Sequence, residues 1–104
     1  MRPWPDEPTS YAHGILDDVT YDWIPLVEAM LGTAGAPVVA AEADFRSAHR
    51  LAHAETDVAV CPTGAAGLAG LLAVHHAAPQ SVTAGERIAV LFTGHQRAGD
   101  PAPN

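Results

Sequence analysis

The amino-acid sequence predicts an α/β fold in which helices alternate with short parallel strands. Segments with the periodicity of a half-buried helix alternate three times with short apolar runs that fit buried strands. The composition, 48% hydrophobic and 16% charged residues, is that of a chain that folds rather than of a disordered one. Such an alternation is typical of helices packed on a parallel sheet with right-handed connections.

The 104 residues form one domain at most. Residues 1–10 contain three prolines and are expected to form an irregular lead, and residues 97–104, with two prolines, a loose tail. Residues 11–96 between them are expected to be a single α/β domain fragment. The chain has too few helices and strands to cover both faces of a parallel sheet. We therefore expect it to fold poorly alone and to need a partner.

The first helix is predicted over residues 22–31, where apolar side chains recur at helical spacing. Asp22 suits the N-cap position, and Pro25 then lies in the first turn, where a missing N–H costs little. Gly32 and Gly35 are expected to end the helix. A short buried strand is predicted directly after them, at residues 37–41.

The second helix is predicted over residues 42–55. Phe45, Ala48 and Ala52 form its apolar stripe, whereas Arg46, Arg50 and His53 are expected to face away from the core. Glu42 and Asp44 suit the positive end of the helix dipole, although no Ser, Thr or Asp stands just before the helix as a cap.

Two further strands, at residues 57–61 and 87–92, flank a third helix predicted over residues 65–76. Gly67 and Gly70 lie inside this helix, and each weakens it by about 1 kcal/mol relative to alanine. Glycines in such positions indicate that another backbone or a cofactor packs closely against the helix.

The charge of −7 comes from twelve acidic residues against five arginines, and the chain contains no lysine. Such a chain is a poor binder of nucleic acid or of anionic membranes. The single cysteine, Cys61, excludes an intrachain disulfide and a cysteine zinc site, and it fits a small buried hydrophobe. With no long apolar run and no basic, apolar leader, a cytoplasmic location is expected.

Residues 62–70, Pro-Thr-Gly-Ala-Ala-Gly-Leu-Ala-Gly, resemble the Pro-x-x-Ala-Ala-x-Leu-Ala-Gly helix start of fold-type II pyridoxal-phosphate (PLP) enzymes. Residues 91–95, Leu-Phe-Thr-Gly-His, with Asp100 and Pro101 beyond them, are most similar to the threonine synthases of that group. The likeness covers roughly residues 10 to 95. It implies a partial three-layer sandwich, the C-terminal piece of the tryptophan synthase beta-like fold.

The resemblance implies that Thr93 donates a hydrogen bond to the pyridine nitrogen of PLP, since the family places Ser, Thr or Cys before Gly at this strand end. Gly94 would let the ligand approach. Thr63 and Gly64 open a helix whose free N–H groups favour an anion, and His95 would face a substrate phosphate or carboxylate. Each residue also has a plainer interpretation: Thr93 bonds local backbone, Thr63 caps the helix, and His95 is solvated.

Two other groups of side chains could carry chemistry but have simpler interpretations. His49 and His53 stand four residues apart and could in principle share a metal ion, yet no third ligand accompanies them, so an exposed helix face is the better interpretation and no metal site is predicted. Asp17, Asp18 and Asp22 form an acidic cluster that is interpreted as a loop leading into a helix.

The resemblance implies the C-terminal portion of a PLP-dependent lyase of amino-acid biosynthesis, most like threonine synthase, which converts O-phosphohomoserine to threonine. These enzymes hold PLP on a lysine, so this lysine-free chain is expected to be inactive alone and to need its missing N-terminal part or a lysine-bearing partner chain. A homo-oligomer stays open. The alternatives are a threonine, serine or diaminopropionate ammonia-lyase, and a non-catalytic assembly or regulatory module.

Overall fold

A computed structural model describes residues 4–104 of the chain. The helices are α1 (Trp23–Thr33), α2 (Glu42–Glu55) and α3 (Ala66–Ala77), with single 3₁₀ turns at His13–Ile15 and Pro79–Ser81. All three predicted helices are therefore confirmed, α2 with the predicted limits and the others within two residues of them. The described part of the chain is a helical domain, and what differs from the prediction is the state of the strands.

The ends of α1 differ from the prediction in both directions. The Asp22 side chain makes no capping hydrogen bond, and the helix continues through Gly32 to Thr33. Ala34 then adopts the left-handed conformation at φ 56°, and the Gly35 N–H donates to the Met30 carbonyl at 2.9 Å. The backbone hydrogen bonds of this C-terminal turn decide where the helix ends, rather than the first glycine after the apolar run.

The core lies between α2 and α3, which pack against each other through small side chains. The buried apolar residues of this core are Ala48, Ala52, Val60, Ala65 and Ala69. Alanines allow two helices to approach closely, and larger side chains such as Phe45 and Phe92 pack around the rim of the core while staying partly exposed. The predicted stripe of α2 is therefore the face that it buries.

The glycines of α3 face two apolar stretches of chain, as the sequence indicates. A Cβ atom on Gly67 would lie 3.4 Å from the Leu91 carbonyl oxygen and 3.6 Å from Val90 Cγ1. A Cβ on Gly70 would lie 3.9 Å from the Val38 side chain. These two stretches are the ones predicted as the first and third strands, and they contact α3 at its two internal glycines, which stay partly or largely exposed.

The predicted parallel strands do not form hydrogen-bonded ladders within residues 4–104. The single bridge joins Val60 and His95 in antiparallel orientation. Two hydrogen bonds frame it, from Cys61 N to the Gly94 carbonyl at 3.2 Å and from Gln96 N to the Ala59 carbonyl at 2.8 Å. The stretches around Val38 and Leu91 lie against α3 instead of pairing with each other.

The third predicted strand nevertheless keeps the burial pattern of a strand. From Val90 to Gln96 the residues alternate between partly buried and exposed, which is the period of two that a strand produces. One face of this stretch therefore packs on the helices, while the other face and the backbone edges remain open.

The chain as a whole exposes far more surface than its size requires. Its accessible area is 7690 Å², whereas a folded monomer of 10.8 kDa exposes roughly 5,500 Å². The radius of gyration is 14.7 Å, compared with about 13 Å for a globular domain of this length. No helix in the described range 4–104 has the length and apolarity needed to cross a bilayer.

Candidate functional site

The site forms where two backbone segments meet at the start of α3. Gly64 and Gly94 lie so close that a Cβ on Gly64 would come 2.5 Å from the Gly94 nitrogen and 2.6 Å from its carbonyl oxygen. A Cβ on Gly94 would come 2.6 Å from Cys61 Sγ. Both glycines are required by this contact, because no side chain fits between the two backbones. The sequence predicted both as site residues.

A cavity of about 240 Å³ opens beside this glycine contact. It is lined by His13, Gly14, Cys61, Thr63, Gly94, His95, Arg97 and Asp100. Three of the predicted site residues, Thr63, Gly94 and His95, therefore lie together in one cavity wall, although more than 30 positions separate the first from the other two. The volume accommodates a small charged group rather than a whole drug-sized ligand.

Local hydrogen bonds already occupy the polar groups that precede α3. The Thr63 hydroxyl oxygen accepts from the Gly14 N–H at 3.1 Å, so Thr63 does not cap the helix as its plainer interpretation expected. The Gly64 N–H donates to Cys61 Sγ at 3.3 Å, and the Ala65 N–H donates to the Cys61 carbonyl at 3.0 Å. These amides are thus satisfied within the chain, and the cavity's charged side chains are what remains for a ligand.

The ionisable side chains of the cavity lie near the two ends of the chain, and two of them belong to the C-terminal tail. Asp100 is largely buried, with 13% of its side chain exposed, and its carboxylate accepts from the Arg97 N–H at 2.7 Å. His13 Nε2 lies 4.0 Å from the same carboxylate. With His95, the residues that line the cavity carry one guanidinium, two imidazoles and one carboxylate. That set suits an anionic ligand group such as a carboxylate or phosphate.

Thr93 lies outside the cavity wall, on the exposed face of the same stretch. Its backbone N–H donates to the Gly64 carbonyl at 3.3 Å, which anchors the residue to the start of α3. Its hydroxyl has no hydrogen-bond partner among residues 4–104. The plainer interpretation, a hydroxyl that bonds local backbone, therefore does not hold, and the hydroxyl is available to a group from outside the chain.

A second polar cluster surrounds His49, which is fully buried. His49 Nε2 lies 3.1 Å from the Val60 carbonyl and 2.9 Å from Gln96 Oε1, so we assign the ring proton to this nitrogen. The Tyr11 hydroxyl lies 2.8 Å from Nδ1, and His53 Nε2 bonds the same Val60 carbonyl at 2.7 Å. The sequence prediction of an exposed histidine face was wrong at both positions.

The reason lies in the stripe of α2. His49 occupies the fourth position after Phe45 and directly follows Ala48, so helical geometry places it on the buried face. The spacing was a usable signal, but the polarity of histidine outweighed it in the prediction. Its burial is tolerated because both ring nitrogens have hydrogen-bond partners.

The chain ends are tied to this cluster. The Tyr11 hydroxyl lies 3.1 Å from the Ala102 carbonyl, and Gln96 Nε2 donates to the Pro101 carbonyl at 3.0 Å. Part of the expected loose tail is thus held against α2. The tail also supplies Arg97 and Asp100 to the cavity, so the buried cluster positions one wall of the candidate site.

Two side chains beside the cluster have shifted pKa values. The pKa of Glu42 is lowered, first by a hydrogen bond from the Ser10 side chain and then by the Tyr11 N–H, which donates at 2.8 Å. The pKa of Tyr11 is raised by burial, against the opposing effect of Arg46, whose guanidinium carbon lies 4.4 Å from the ring centre. The hydrogen bond from the Tyr11 N–H to Glu42 and the contact of Arg46 with the Tyr11 ring hold this part of the chain against the start of α2.

Besides Cys61, which was interpreted only as a small buried hydrophobe, sequence reasoning missed four residues that line the cavity. Their identities are His13, Gly14, Arg97 and Asp100. They lie in regions predicted as a domain edge and a loose tail, and no periodicity or motif marks them as neighbours of α3. Asp100 was noted only as part of the family resemblance.

Comparisons with protein-family models, with curated proteins and with solved structures gave no match. The likeness to PLP enzymes therefore remains a hypothesis that rests on the quoted residues and on the geometry around them.

Proposed function

We propose that this chain is the C-terminal portion of a PLP-dependent lyase of amino-acid metabolism, most like threonine synthase, acting in the cytoplasm. The observation that carries the proposal is Thr93, whose anchored backbone presents an unpaired, exposed hydroxyl beside the Gly64–Gly94 contact. A neutral hydroxyl in that position suits the pyridine nitrogen of PLP, because it donates a hydrogen bond without adding charge.

The residues present fit PLP in part. Thr93 would hold the ring nitrogen, and the hydrogen bond from the Thr93 N–H to the Gly64 carbonyl would fix its backbone beside the ring. Bound PLP supplies an electron sink for charge that develops at the substrate's α-carbon. The lysine that carries PLP must come from outside this chain, since the sequence has none.

The cavity residues would act on the substrate rather than on the ring. Arg97 and His95 would orient an anionic group, a carboxylate or the phosphate of O-phosphohomoserine, while Asp100 holds the Arg97 backbone in place. The same anion-binding set would serve a threonine, serine or diaminopropionate ammonia-lyase through the substrate carboxylate. The phosphate is what separates threonine synthase from these alternatives.

A non-catalytic assembly or regulatory module is the second candidate. Two observations favour it: the chain has no lysine, and its accessible area is larger than that of a normal monomer of its mass. Both are expected of a chain that functions only as part of a larger assembly. In that case the cavity would bind no substrate, and Thr93 would be an ordinary exposed residue that contacts no cofactor.

The test is a PLP titration followed by the cofactor's absorbance. The purified chain is titrated alone and together with an N-terminal threonine synthase fragment that carries the Schiff-base lysine. We expect saturable binding only with the fragment, and about tenfold weaker binding for Thr93→Ala, the loss of one hydrogen bond to a cofactor. Thr93→Ser keeps the hydroxyl and should bind like the natural chain.

Thr83→Ala, at an exposed threonine outside the cavity wall, is the matched control. Equal binding by all four proteins would remove the role given to Thr93. Saturable binding of PLP by none of them would overturn the catalytic proposal and leave the assembly module.

A further inference from the structure

Two apolar segments, residues 37–40 and 87–92, lie side by side with α3 but leave their outer surfaces open. Val38 packs at Gly70 and the Leu91 carbonyl at Gly67, so each segment covers part of the glycine face of α3. On the outer side, Val39 is 94% exposed and Leu91 is 78% exposed. Large apolar side chains exposed to this extent on two neighbouring segments are unusual for the surface of a soluble monomer.

The backbone of both segments is also unpaired. Among residues 4–104, no hydrogen bond reaches an N–H or carbonyl of residues 37–40 or 87–92. The second segment has the alternating burial of a strand from Val90 onwards, so its side chains are already placed for pairing. An open strand edge of this kind is a template for a strand from another chain.

The chain exposes about 2,100 Å² more surface than a folded monomer of its mass, summed over all its segments. Docking at the two segments would remove part of this excess from water. Helix α1 adds to the open surface, because none of its residues is buried and it packs against neither α2 nor α3.

Charge identifies the kind of partner. The chain carries a net charge of −7 without any lysine, so a second copy would bring two strongly acidic bodies together. The segments themselves contain a single charged residue, Arg87, while acidic residues stand at their ends, Glu42 after the first and Glu86 before the second. An apolar strand flanked by basic side chains complements both features.

We propose that residues 37–40 and 87–92 are docking edges for an extended apolar strand, flanked by basic side chains, that a different polypeptide supplies. Strand addition would pair the free backbone groups and cover Val39 and Leu91. The docking argument uses no property of PLP. Only the choice of threonine synthase as the source of the strand rests on the proposed function.

The experiment is hydrogen exchange of the full chain, alone and with the lysine-bearing N-terminal fragment of threonine synthase, in the absence of PLP. The amides of both segments should exchange quickly in the free chain, since nothing bonds them. The fragment should slow the exchange of residues 88–92. Ala89→Pro removes an N–H that is unbonded in the free chain, and it should weaken fragment binding by about tenfold or more.

Ala98→Pro is the matched control, because Ala98 lies in the Arg97–Asp100 turn before Gly99, where proline is well accommodated. It should bind the fragment like the natural chain. Slowed exchange that depends on the concentration of the chain alone would mean that the occupant is a second copy, which overturns the proposal.

Unchanged exchange in both segments with the fragment present would overturn it as well. The outcomes for the docking edges and for the proposed PLP function can be told apart. Slowed exchange without PLP binding keeps the docking edges and removes the cofactor, whereas PLP binding without slowed exchange does the reverse.

Discussion

Replacing His49 with alanine tests whether the buried polar cluster holds this chain together. His49 has no exposed surface, and its ring nitrogens contact the Tyr11 hydroxyl, the Val60 carbonyl and Gln96 Oε1. In His49→Ala, His53 still donates to the Val60 carbonyl, and the Tyr11 hydroxyl, which donates to His49 Nδ1 in the natural chain, can donate to the Ala102 carbonyl instead. Only the Gln96 oxygen loses its partner outright.

The cost combines a cavity with this orphaned oxygen. Truncating a large buried side chain to alanine costs about 2–5 kcal/mol, and an unsatisfied buried acceptor about 1–3 kcal/mol. Because Gln96 is only partly buried and two of the three contacts find other partners, we expect about 3 kcal/mol in total. That is a large share of the stability of a small domain, roughly 5–10 kcal/mol.

The assay is urea unfolding followed by circular dichroism at one fixed protein concentration, since association would add to the apparent stability. The midpoint should fall by about 2 M urea for a domain of this size. His49→Gln keeps a donor near the position of Nε2 and should lose only about 1 kcal/mol. His75→Ala, on the exposed end of α3, should change stability by less than about 0.5 kcal/mol.

A loss below about 1 kcal/mol for His49→Ala would refute the reasoning, because the cluster would then be replaceable by water or by its neighbours. A loss equal to that of His75→Ala would refute it most directly.

Two further predictions test the other contacts that hold the site. Gly64→Ala should destabilise the chain by about 3 kcal/mol in urea unfolding, because its Cβ would meet the Gly94 backbone. The control is Gly32→Ala inside α1, where a Cβ would meet nothing within 4 Å, so this change should be neutral or stabilising. Equal effects of the two changes would contradict the contact between Gly64 and Gly94. Glu42→Gln should lower the melting temperature near pH 6, and its difference from the natural chain should shrink as the pH falls below about 4.5. The lowered pKa of Glu42 gives stability that is present above its ordinary pKa of about 4.5 and is lost as the pH falls through the folded value. A gap that stays constant with pH would show that the carboxylate charge is not involved.

The helices were predictable because their information is local. The stripe of Phe45, Ala48 and Ala52 specifies both the limits of α2 and its buried face. The glycines of α3 likewise predicted that another backbone segment packs near the helix, and the Leu91 carbonyl lies beside Gly67. Helix caps were less predictable, since Asp22 and Thr63 have the right side chains but use neither for capping.

The strands were half predictable. The apolar runs at residues 37–41 and 87–92 have the composition of buried strands, and the second keeps their alternating burial. Pairing depends on neighbouring strands, which these 101 described residues do not provide. The predicted parallel arrangement is therefore replaced by one antiparallel bridge between Val60 and His95.

By itself, the sequence determined three helices, the small buried residues of the α2 stripe, and Gly67 and Gly70 as positions in α3 where another segment packs. It also determined that no lysine is available for a Schiff base. The tertiary structure alone decided that Tyr11, His49 and Gln96 share hydrogen bonds, and that residues from both ends of the chain line one cavity beside α3. These contacts join residues 38 and 47 positions apart, and no local spacing encodes which distant groups will satisfy one another once the helices have packed.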